Sequence, residues 1–103
     1  MTIDKNYPGL IRPTFGDYYR LEGDLMTGGN LKIKIPLFVN GTIEVGGKIK
    51  AKCKIEASGS IRAKRSITAG GSIRAVEFIK ANGKILARGS IFVYHYKDLK
   101  NES

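Results

Sequence analysis

The sequence predicts an all-β fold: a single-stranded parallel β-helix of triangular section, with about 18 residues per coil and four coils. Three observations carry this. Ile stands at every sixth position from Ile43 to Ile91, and Leu25, Leu31 and Leu37 extend the phase backwards. Two residues after each comes a small or β-branched residue, which is Ala at every sixth position from Ala51 to Ala87. Four residues after most of them stands Gly, at positions 29, 41, 47, 59, 71, 83 and 89.

A period of six cannot be an α-helix, whose apolar stripe recurs at 3.6. Within a hexad, Ile and Ala are two apart and so point to one side of a short strand. The Gly marks the place where the chain turns sharply or takes positive φ. No coil can bury its Ile alone; stacked coils put Ile over Ile and Ala over Ala. An antiparallel meander turning at the SG, GG and NG pairs (58–59, 70–71, 82–83) is the competing fold. It puts Arg65 and Glu77 mid-strand on the Ile face, where burial is costly, whereas the β-helix puts them at corners. A flattened helix with coils of 12 residues suits residues 43–90 but fails on 25–42.

The elements follow in order. Residues 1–24 precede the first hexad and hold Tyr7, Leu10, Ile11, Phe15, Tyr18, Tyr19 and Leu21, with Pro8 and Pro13 preventing any long helix. This composition suits a segment that caps the first coil or packs on the solenoid, since an open coil end is an exposed strand edge. Residues 25–96 form twelve hexads, cut into coils as 25–42, 43–60, 61–78 and 79–96. In the first two, GGN lies over GGK, LKIK over IKAK and NGT over SGS. Residues 97–103 are a polar tail.

Composition removes most chemistry. The 103 residues include one His, one Cys and no Trp. A catalytic triad, a His/Cys zinc site and an internal disulfide each need partners that this inventory lacks. Cys53 and His95 share the corner phase of the hexad and read as fillers or cap residues. The GGNLK and GGKIK segments lack phosphate-loop spacing. The expectation is a non-enzymatic, cofactor-free protein. No apolar run reaches a membrane span and the first residues show no signal pattern, which suits the cytoplasm.

Charge is the informative feature. Lys and Arg number 18 against 9 acids, a net charge of +9, and residues 25–96 hold thirteen of the bases and three of the acids. The triangular cut sorts them by face. Hexads 31, 49, 67 and 85 carry Lys32, Lys34, Lys50, Lys52, Lys54 and Arg88 without an acid. Hexads 25, 43, 61 and 79 carry Lys48, Arg62, Lys64, Lys80 and Lys84, with Arg65 at the corner, against Glu44. Such ladders keep a solenoid soluble and blunt its edges. Like charges stacked about 4.8 Å apart repel, however, and an acid-free face points to a polyanion partner, nucleic acid or a ribonucleoprotein, held through its phosphates. The third face shows Phe38, Val76, Phe78, Phe92, Tyr94 and Tyr96. Either the chain's own ends cover it, or it docks a second copy in a homodimer. Its aromatic rings would also serve to stack unpaired bases.

The GxIxA rhythm at residues 59–63, 71–75 and 83–87 resembles the bactofilins, small bacterial polymer-forming proteins built as triangular parallel β-helices. The run SIFVYHYK at 90–97 gives it a likeness to short bacterial and phage proteins of GDIxA-type hexads that end on a Tyr-rich strand. The likeness spans 72 of the 103 residues, and it speaks to fold far more than to function. Bactofilin-like chains are less basic and less strictly periodic. The left-handed β-helix acyltransferases are similar in period alone, because no long loop leaves the repeat. Two functions therefore stand: a basic module that binds polyanions, of the size and charge of a phage or mobile-element inhibitor of a nucleic-acid machine, or a bactofilin-like filament subunit.

Overall fold

A computed structural model describes residues 1–12 and 18–94. Each hexad yields one three- or four-residue strand. Ahead of them lie β1 (Thr2–Ile3) and β2 (Tyr19–Glu22). The hexad strands are β3 (Leu25–Thr27), β4 (Leu31–Ile33), β5 (Leu37–Asn40), β6 (Ile43–Val45), β7 (Ile49–Ala51), β8 (Ile55–Ala57), β9 (Ile61–Ala63), β10 (Ile67–Ala69), β11 (Ile73–Ala75), β12 (Ile79–Ala81), β13 (Ile85–Ala87) and β14 (Ile91–Val93).

Every third strand is a neighbour, so the chain winds into three parallel sheets. Sheet A is β1-β4-β7-β10-β13, sheet B is β2-β5-β8-β11-β14 and sheet C is β3-β6-β9-β12. Partners are 18 residues apart: Ile49 with Ile67, Ile55 with Ile73, Ile43 with Ile61. This is a three-sided parallel β-solenoid of about four turns. The meander and the 12-residue coil are both excluded, the first because all named strand pairs are parallel and the second by this register.

Inward-facing columns form the core. Ile43, Ile55, Ile61, Ile67 and Ile73 are fully buried, each contributing about 1.5–3 kcal/mol by leaving water. The second inward position carries Thr27, Ile33 and Val39 in the first hexad coil, Val45, Ala51 and Ala57 in the next, and alanine alone in the third. Ile35 occupies a corner that is Cys53, Gly71 and Gly89 in the later coils, and it is buried. Burial then declines along the axis: Ile79 and Ile85 are half-buried, and Ile91 is 49% exposed.

The residues ahead of the first hexad are built into the solenoid. Strand β1 adds a rung to sheet A, pairing Ile3 with Ile33, and β2 adds one to sheet B, pairing Leu21 with Val39. Between them the chain leaves at the edge joining sheets A and B, packs Tyr7 and Leu10 on the core, and returns through a bridge from Ile11 to Arg20.

Side chains at the corners repeat the coil spacing. Asn30 Oδ1 accepts from the Lys48 amide at 3.0 Å, Asp24 Oδ1 from that of Thr42 at 2.8 Å, and Ser72 Oγ from that of Ser90 at 3.1 Å. Ser60 is the buried polar residue, and its hydroxyl donates to Glu77 at 3.1 Å. Gly29 and Gly41 apart, the hexad glycines serve close stacking rather than positive φ: a Cβ at Gly71 would lie 2.9 Å from the Lys54 amide nitrogen of the coil before. Positive φ occurs at Gly9, Gly23 and Gly41. At Gly46, with no such φ, a Cβ would run into the carbonyl oxygen of Gly28 on the coil before. The close stacking of successive coils is what requires glycine there.

Candidate polyanion-binding surface

Residues at the second and fourth positions of each hexad point outward, so the register fixes which cations are neighbours. On sheet A, Lys32 pairs with Lys50. Lys34 and Lys52 follow two residues further on, joined to the previous rung through amide bonds to Ile3 and Ile33. All four are exposed, and a groove of about 370 Å³ runs between them over Ile33 and Ala51. No ion pair neutralises this quartet among the described residues.

The quartet ends abruptly. Lys50 pairs on its other side with Thr68, which pairs with Leu86. Gly70 follows in the other column, and Arg88 restores one charge at the last rung. On sheet C the distribution is reversed. Its early rungs show Met26, Gly28 and Gly46 with Glu44, and its later rungs show Arg62, Lys64 and Lys80. A larger groove of about 580 Å³ runs the length of this sheet. The Arg62 guanidinium lies over Phe78, 5.2 Å from the ring centre. At the edge where C passes into A stand Lys48, Arg65 and Lys84, all exposed. Read by register, the two ladders join into one oblique band. It runs from the early rungs of A, over this edge, to the late rungs of C.

Lys54 stands apart from the band. It lies at the edge between A and B, half-buried, with its ammonium 4.6 Å from the centre of the Tyr18 ring. Lys48 belongs with the band. Its place as the sixth residue of a hexad was the available signal.

The aromatic face divides in two. Phe38 is half-buried beneath Tyr18, which meets it edge-on, and Arg20 lies 5.3 Å over its ring. Burial and the neighbouring Glu56 carboxylate push the Tyr18 phenol up to about 12. Arg20 pairs with Glu22, whose carboxyl is held below its ordinary range by Asn40 and then Arg20. Val76, Phe78, Phe92 and Tyr94 remain 36–47% exposed, with the last two rings 5.3 Å apart. Tyr96 and His95 lie outside the described residues.

Cys53 is a free, half-buried thiol at the A–B edge. Among the described residues no group of three or more His, Cys, Asp or Glu is placed to hold a metal ion.

The fold and surface thus define a three-sided, strongly basic β-solenoid. No family model, no curated protein and no solved structure matches the chain.

Proposed function

We propose that this protein is a non-enzymatic module that binds nucleic acid, free or in a ribonucleoprotein, through its Lys and Arg side chains. One observation carries the reading. Lys32, Lys34, Lys50 and Lys52 form an exposed block with no ion pair among the described residues. Their backbone is fixed by parallel pairing, so the cost of gathering like charges is borne by the fold. Such a block is complementary to phosphate, and contacts of this kind carry little sequence information.

The test is binding of a labelled oligonucleotide across a salt series. The expected result is a log–log slope of several units that falls by about 1 per cation replaced. Reversing all four lysines to Glu should abolish binding and leave the circular dichroism of the fold unchanged. Unchanged binding would overturn the reading.

A second reading is supported by the late rungs. Ile91 and Val93, at 49% and 38% exposed, leave an apolar sheet end uncovered among the described residues. A bactofilin-like subunit stacking on itself would use such an end. Nucleic-acid-free material that elutes as ordered polymer would favour it.

A further inference from the structure

We propose, resting on the nucleic-acid reading above, that the edge between sheets C and A enters the major groove of B-form DNA. Each basic flank would then meet one phosphate wall.

The observation is the split of charge across this edge. Lys50 and Lys52 lie on one flank, Arg62 and Lys64 on the other, and Lys48 and Arg65 on the crest. A flat polyanion contact would need one face, yet neither face is basic throughout. Sheet A turns to Thr68 and Gly70 where sheet C turns to Arg62 and Lys64. A single rod laid along either ladder would leave half of these cations unused. A convex edge with cations on both sides instead suits a groove with anionic walls on both sides.

Shape agrees with charge. Three sheets close the section, so an edge is a wedge of about 60°, about 10 Å across at the ~8.5 Å depth of a major groove ~12 Å wide. Crest positions are small where they are uncharged: Gly29, Asn30, Gly47, Ser66 and Gly83. The other two edges do not serve. At the A–B edge Tyr18 lies against Lys54. The B–C edge carries Glu77 and the ring of Phe78. The nearest acids on the flanks are Asp4, just after β1, and Glu44, in register beside Arg62.

A-form duplexes have a deep, narrow major groove that side chains cannot read, and single strands have no groove at all. The experiment compares fluorescence anisotropy on a DNA duplex of about two helical turns (~20 base pairs), an RNA duplex and a single strand of the same length. The DNA duplex should bind at least roughly tenfold tighter than the RNA duplex. Gly29→Trp adds bulk to the crest without changing charge, at a site where a Cβ meets nothing within 4 Å. It should weaken DNA-duplex binding roughly tenfold and leave the single strand unaffected. Lys50→Glu and Arg62→Glu, made singly, should each weaken duplex binding, which keeps the test alive if the Trp variant misfolds. Equal binding of all three probes, or loss from one flank only, overturns edge insertion and leaves the polyanion reading standing. No binding of any probe overturns both.

Discussion

Tyr18 meets Phe38 edge-on, with ring centres 6.5 Å apart and planes at 68°. The contact fastens the excursion between β1 and β2 to the outside of sheet B. It also sets an alkaline limit. The phenol is raised from 10.0 to about 12, by burial first and then by Glu56. A group whose pKa is raised on folding stabilises fully below its unfolded value and loses that contribution as pH climbs through its folded value. Stability should therefore decline between about pH 10 and 12. An ultraviolet titration should show a late-ionising phenol that is lost in Tyr18→Phe. A late phase that persists unchanged in Tyr18→Phe would contradict the contact.

Position along the axis decides the cost of core truncation. Ile61 is fully buried and Ile91 is 49% exposed, though both head a hexad. Ile61→Ala should cost about 2–5 kcal/mol, and Ile91→Ala under about 1 kcal/mol. Denaturant melts would show it. Ile61→Asp should abolish folding, since it buries an unpaired carboxylate.

Gly46 and Gly29 make a matched pair for the stacking contact. A Cβ at Gly46 collides with the Gly28 carbonyl, whereas one at Gly29 meets open space. Gly46→Val should lower stability by about 1–3 kcal/mol, and Gly29→Val should change it little. Equal effects would mean that coil spacing is not what these glycines protect.

On the aromatic face, Phe38→Ala should destabilise by about 1–3 kcal/mol because the ring supports Tyr18 and Arg20. Phe92→Ala, at a ring 47% exposed, should leave the monomer's melting temperature nearly unchanged. If the late rungs are a self-association surface, light scattering on Phe92→Ala will show smaller particles instead.

Much of the solenoid was legible because its pattern is local and strict. Ile at six-residue intervals fixes inward faces, and matching segments 18 residues apart fix the coil. The rungs supplied by Thr2–Ile3 and Tyr19–Glu22 were not legible, since neither follows the hexad and each is recognised only by its partner strand. Phe38 and Phe92 hold the same place in their hexads, yet Tyr18 lies over the first while the second is 47% exposed. That difference comes from where a non-repetitive segment happens to return. Hexad phase places each basic residue on a sheet or an edge, but their oblique course over the C–A edge emerges only when rungs are set side by side.

The shrinking of inner side chains, from Ile33, Val39 and Val45 to an unbroken run of alanines, gives the molecule a direction. A solenoid holds together through nearest-neighbour interfaces, so its coils need not open as one. The early coils, with larger interior side chains and β1 and β2 stacked beyond them, form the tightest interface. Amide protons should exchange slowest around β4 to β8 and progressively faster towards β14. Among the described residues the solenoid is a zipper stitched at its early end, and thermal fraying should start at the late rungs.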